Sequence, residues 1–170
     1  MVTHLLLALV ACVPAHSACS CIPGPRLASR ADVAAQLGTA AAVFEGTVIR
    51  TAYVEDSVVA VGDSGQTRRA SGWMDREVTL TITRRWKGEL RDTVTLRTPA
   101  LTTMCGADFT EGQTYVVFAQ SADYNGIGPA RPARVGEVVH TTKCSATTRS
   151  RDASRVTALL GQSLPATRAP

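Results

Sequence analysis

Histidine and lysine are scarce in this chain: three His and two Lys stand among 170 residues, against sixteen Arg. A His-based triad would have to rest on His140, or on a His16 that survives only two of the four leader cleavages considered below. His140 stands in strand-like sequence just before Thr141-Thr142-Lys143-Cys144, where a surface or hydrogen-bonded structural histidine is the simpler reading. There is no zinc-binding His-Glu-x-x-His, no phosphate-cradling glycine loop and no Gly-x-Ser-x-Gly elbow. Carboxylates are few and dispersed, so no acid/base pair can be nominated. The chain therefore reads as a non-enzyme with no cofactor. Aromatic residues make up only 5% of it, too few for a base-stacking surface, which together with export argues against nucleic-acid binding.

Long apolar runs are also missing. Residues 5 to 11 (Leu-Leu-Leu-Ala-Leu-Val-Ala) are too short to span a bilayer, and no second apolar segment follows, so no transmembrane segment is expected. That run, followed by Pro14 and the small-residue stretch Ala15-His16-Ser17-Ala18, reads as a signal peptide over residues 1–18 and implies a secreted, extracellular protein. Val13-x-Ala15 and Ala15-x-Ser17 satisfy the small-residue rule for cleavage, while His16-x-Ala18, the cut that exposes Cys19, carries a bulky residue. Leu9-Val10-Ala11-Cys12 can also be read as a lipobox, with Cys12 lipidated; its apolar region would be very short, which makes it the weaker reading.

Four cysteines remain after the leader: Cys19, Cys21, Cys105 and Cys144, an even set suited to an oxidising compartment. Cys19 and Cys21 are too close to pair comfortably with each other, so each should reach a distant partner. Two loops of roughly 100 residues would then each contribute about 4–5 kcal/mol in the chain-entropy model. The four lack the paired-knuckle spacing of structural zinc, and Cys19-Ser20-Cys21 is not the Cys-x-x-Cys of a redox motif. The net charge of +4 comes almost wholly from scattered arginines, locally dense only at Arg68-Arg69, Arg84-Arg85 and Arg149/Arg151/Arg155. Such a surface admits an anionic polysaccharide as partner, although coding bias is the simpler account of scattered arginine.

Along residues 19–162, Ser29 is placed to cap a short helix through Leu37, with Gly38 as its stop. Strands are expected over Ala42–Tyr53, around Glu77–Thr83 with its alternating Val78, Leu80 and Ile82, over Asp92–Thr98, over Tyr115–Ala119 and over Glu137–Lys143. Gly46 in mid-strand predicts a bulge or sharp bend, and Trp86-Lys87-Gly88-Glu89 a turn. Residues 55–72, rich in Gly, Ser, Asp and Arg, read as a long mobile loop, and 163–170 as a disordered tail. A closing helix is expected over Asp152–Leu160, capped by Ser150 or Asp152 and ended by Gly161. Five strands with short flanking helices and no βαβ alternation point to a mainly β domain, a small Greek-key barrel.

Three cysteine contexts carry a resemblance. Cys19-Ser20-Cys21-Ile22-Pro23 looks like the N-terminus of the tissue inhibitors of metalloproteinases. Thr98-Pro99-Ala100-Leu101-Thr102-Thr103-Met104-Cys105-Gly106 and Thr141-Thr142-Lys143-Cys144-Ser145 are similar to the segments of those inhibitors that carry the partners of the first and second cysteines. Trp86-Lys87-Gly88 and Tyr115-Val116-Val117-Phe118-Ala119 fit the wider netrin module. The resemblance spans Cys19 to about Gly161. It implies an OB-fold barrel and the disulfides Cys19–Cys105 and Cys21–Cys144. It also implies inhibition of a zinc metalloprotease: the Cys19 amine and carbonyl would chelate the target's zinc, the only metal implied. Ser20 would enter the specificity pocket, with Cys21, Ile22, Pro23, Thr103 and Met104 completing the binding edge. The animal inhibitors carry a third disulfide and a second cysteine-rich domain, for which this chain has no cysteines. The alternative expectation is a monomeric, non-inhibitory netrin-type module that binds anionic polysaccharide, an envelope component or a protein.

Overall fold

The computed structural model describes residues 19, 21, 27–61, 67–121 and 130–164, with the side chains of all of these except 56–61 and 67–73. Two long strands dominate it. β1 (Ala42–Val61) and β2 (Thr67–Lys87) pair antiparallel from Val43↔Lys87 out to Val61↔Thr67. β3 (Thr93–Pro99) pairs with β2, and β4 (Thr114–Ser121) pairs with β1. β5 (Val139–His140) runs parallel to β3 and antiparallel to β4, and β6 (Thr148–Arg149) adds to β4. The order is β1-β2-β3-β5-β4-β6 with β1 returning to β4, so five strands form a ring and the sixth lies outside it. The domain is mainly β, as the residue pattern implies.

Gly46 makes the ring possible. The β1–β2 register slips between Glu45 and Gly46, and Gly46 faces Ile82 on one side and Tyr115 on the other. A Cβ there would lie 2.9 Å from the Thr81 carbonyl oxygen and 3.3 Å from Leu80 Cβ, so only glycine lets β2 approach this closely.

β4 explains why one strand could read as continuously apolar. Tyr115, Val117 and Ala119 point into the ring with Phe44, Leu80, Leu96 and Phe109. Val116 and Phe118 point outward and pack with Val43, Ala153 and Val156 under two helices, α1 (Arg30–Thr39) and α2 (Ser154–Leu160). A strand buried on both faces has no polar side to display.

α1 begins where expected. Ser29 Oγ accepts the Asp32 amide at 3.1 Å, and Asp32 Oδ2 accepts the Ser29 amide at 2.9 Å, a reciprocal capping box. Its other end is held by Lys87, whose Nζ donates to the Leu37 carbonyl at 2.7 Å and to the Ala130 carbonyl at 3.3 Å. A cation at a helix C-terminus is favourable. Burial draws the Lys87 pKa below its ordinary value.

Several expectations need correction. Residues 55–61 and 67–72 are paired strand, not a mobile loop; only 62–66 of that stretch lie outside the described residues. Its valines favour extended backbone, and each strand already has a partner along which the ladder continues, which outweighs the loop-like composition. Among the described residues the strands number six rather than five, and β5 covers only Val139–His140 of the expected Glu137–Lys143. Gly38 is the penultimate residue of α1 rather than its stop. At α2 the expected caps Ser150 and Asp152 form a 3-10 turn instead, and the helix starts at Ser154 without a side-chain cap. Gly161, with φ of 74°, does end it. Leu164, expected in the tail, donates its amide to the Arg85 carbonyl at 2.6 Å. Among the described residues no helix is long and apolar enough to cross a membrane.

Candidate functional site

The site grows out of the end of β3. Thr98 is buried, and its Oγ1 accepts the Ala107 amide at 2.8 Å, clamping both ends of the intervening turn. Inside the turn, Leu101 O accepts the amides of Met104 and Gly106, each at 3.0 Å, over a single 3-10 turn at Thr102–Met104. Cys105 closes it in the left-handed region, φ 66°. A non-glycine residue there is costly by about 1 kcal/mol or more, and the surrounding hydrogen bonds must hold it. Its amide donates to Thr102 O at 3.2 Å and its carbonyl accepts from Lys143 N at 2.8 Å.

That last bond joins the second segment. Thr141 is buried, with Oγ1 donating to Phe118 O at 3.1 Å, and its amide donates to Arg97 O at 2.9 Å. Thr142 Oγ1 accepts the Cys144 amide at 3.2 Å, and Ser145 Oγ accepts the Thr142 amide at 3.1 Å. The two cysteine-bearing turns are thus joined by one backbone bond, while hydroxyl contacts brace the second turn internally and against β4.

The start of the described chain is stapled onto them. Cys19 pairs with Cys105 and Cys21 with Cys144, both with Cα atoms 5.2 Å apart. This is the pairing the resemblance implies, and 5.2 Å lies well inside the range a disulfide can bridge. The four sulfurs form one cluster, since Cys144 Sγ lies 3.8 Å from Cys105 Sγ and 3.9 Å from Cys19 Sγ.

Of the remaining predicted edge residues, Thr103 is exposed and Met104 half-buried beside Cys105, whereas Ser20, Ile22 and Pro23 lie outside the described residues, as do Cys12 and the leader. Two further side chains stand out. Leu101 is 57% exposed at the crest of the turn, and Met74 is 43% exposed, its carbonyl accepting the Ala100 amide at 2.9 Å. Together they give the turn an apolar flank. Leu101 was within reach of sequence reading, because it lies in the quoted segment. Met74 was not, because only the β2–β3 register brings it there.

Elsewhere the structure holds no comparable constellation among its described residues. His140 is half-buried in β5, opposite Arg97 and Gln120. A cleft of about 190 Å³ beside Cys144 is lined by amides and hydroxyls, including Gln36, Gln120 and Thr142, with neither a carboxylate nor an imidazole. Glu45, the one buried carboxylate among the described residues, is held below its ordinary pKa by Arg84, whose Nε lies 2.6 Å from Oε2, against burial, which pushes it up; hydroxyls of Ser150 and Thr83 add to the lowering. Arg84 also stacks over Trp86 at 5.3 Å. Other arginines are engaged one at a time: Arg76 with Asp108, Arg97 with Glu77, and Arg131 in a fork on Glu137. No family model and no curated protein matches this chain.

Proposed function

We propose that this protein is an exported, single-domain relative of the tissue inhibitors of metalloproteinases, built on an OB-fold barrel. In this reading signal peptidase cuts after Ala18, and Cys19 becomes the N-terminus. Its free amine and its carbonyl then chelate the zinc of a target protease. The observation that carries the reading is the double staple: Cys19 and Cys21 are each bonded to a turn that the barrel already holds in place. The ring order β1-β2-β3-β5-β4 supports the barrel type.

The chemistry follows from the staple. A catalytic zinc keeps one position open for water or substrate, and an amine beside its own carbonyl can fill it as a chelate. The amine, with an ordinary pKa of about 7.7–8.0, must be unprotonated to coordinate, so binding weakens as pH falls below that range. An edge anchored by two disulfides loses little conformational freedom on docking, which favours affinity. Leu101, Thr103, Met104 and Met74 would supply contact area beside the zinc-reaching residue.

The polysaccharide-binding alternative draws less support, because most of the arginines whose partners are described are neutralised singly rather than gathered into a patch. Two measurements test the proposal together. N-terminal sequencing of the exported protein should return Cys as the first residue, and the purified protein should inhibit a zinc metalloprotease at near-stoichiometric ratios. Residues preceding Cys19, or retention on heparin at physiological salt without inhibition, would overturn it.

A further inference from the structure

The two disulfides touch. Cys144, bonded to Cys21, lies 3.8 Å from Cys105 Sγ and 3.9 Å from Cys19 Sγ, at about van der Waals contact with a disulfide that is not its own. Stapling alone does not require this, since each bond closes its own loop. We propose that the cluster is a thiol–disulfide exchange centre. An external dithiol entering at Cys21 leaves the protein with one rearranged bond, Cys105–Cys144, and with both N-terminal cysteines free.

The steps balance. A thiolate of the dithiol attacks Cys21 Sγ, and the bond to Cys144 breaks with Cys144 leaving as thiolate. Cys144 sits beside the Cys19–Cys105 bond rather than along it, being nearly equidistant from the two sulfurs. Released from Cys21, it can turn about its own Cα–Cβ bond and attack Cys105 in line. Cys19 leaves as thiolate and takes up a proton from water. The second thiol of the reagent then attacks the sulfur joined to Cys21, releasing Cys21 and forming the reagent's own disulfide. One dithiol is oxidised, one protein disulfide is reduced, and the other is exchanged.

Burial and anchoring set the direction. Cys19 is 8% exposed and only its partner Cys105 is half-buried, whereas Cys21 and Cys144 are both half-buried, which makes the Cys21–Cys144 bond the more accessible of the two. Cys105 and Cys144 stand on turns already joined by the bond from Lys143 N to Cys105 O at 2.8 Å, so the new disulfide needs no large backbone movement. Among the described residues, Cys19 and Cys21 make no hydrogen bond to the barrel except through sulfur. Freeing the chain start recovers its backbone freedom, whereas attack on Cys19 would keep it tied. A single two-electron reduction would thus detach the N-terminal edge from both staples. Loss of protease inhibition as a consequence rests on the function proposed above; the exchange itself does not.

Replacing the entry cysteine removes the need for a reductant. Cys21→Ser should fold with Cys105 bonded to Cys144 and Cys19 open to alkylation, read by mass-spectrometric disulfide mapping. A Cys144 that alkylates while Cys19–Cys105 stays intact, or a Cys19–Cys144 bond, would overturn the proposal. The wild-type protein decides independently if that variant misfolds. With stoichiometric dithiothreitol and an acid quench, Cys19 and Cys21 should become labelled together, and joint labelling of Cys21 and Cys144 would be the contrary result. Inhibition measured on the same samples separates the two claims, since the disulfide map can change whether or not the protein inhibits anything.

Discussion

Single residues decide whether the cysteine-bearing turn can form. Gly106 is one: a Cβ there would run into the Pro99 carbonyl oxygen and lie 2.8 Å from Leu101 O. Gly106→Ala is expected to lower stability by about 1–3 kcal/mol, the usual cost of forcing atoms into an occupied space, read from the urea midpoint. Glu45 is another. Its folded pKa lies below the ordinary value near 4.5, so the stability it contributes is complete above that value and is lost as pH falls through the folded one. Glu45→Gln should therefore flatten the acid limb of the stability–pH curve and cost about 1–2 kcal/mol at neutral pH. That lies below the cost of breaking a fully buried pair because Arg84, 46% exposed, can regain water. Neither effect was legible beforehand. Gly106 showed as part of a cysteine context, but its crowding depends on how the turn folds back on Pro99.

Elements were legible where pattern and partner agreed. The N-cap of α1 was read from Ser29, while the reciprocal contact from Asp32 came only with the structure; Ser29→Ala should cost about 1 kcal/mol, visible as a lower thermal midpoint. The alternation of Val78, Leu80 and Ile82 placed β2, and the bulge at Gly46 was predicted from its position in mid-strand. The outer half of the β1–β2 hairpin was missed because Gly, Ser and Asp suggested a loop, while pairing between two already adjacent strands carried the ladder on. β5 and β6, two residues each, are too short to show any period. The start of α2 was missed by a few residues, since Ser150 and Asp152 looked like caps but lie in a 3-10 turn.

At the scale of the whole molecule, the resemblance to the metalloproteinase inhibitors gave the pairing of four cysteines across 86 and 123 residues, which spacing alone left open. It could not give the contact between the two disulfides, or the apolar flank of Leu101 and Met74, because both arise from how separate segments meet. The barrel holds two turns in place, the turns hold Cys19 and Cys21, and the function proposed above rests on the amine and carbonyl of Cys19. One comparison tests this most directly: inhibition of a zinc metalloprotease by protein beginning at Cys19, set against the same protein carrying one additional N-terminal alanine. Inhibition by the first and a loss of at least about 100-fold in affinity, about 2.7 kcal/mol, with the second is the predicted result. Equal inhibition by both, or inhibition by neither, would contradict it.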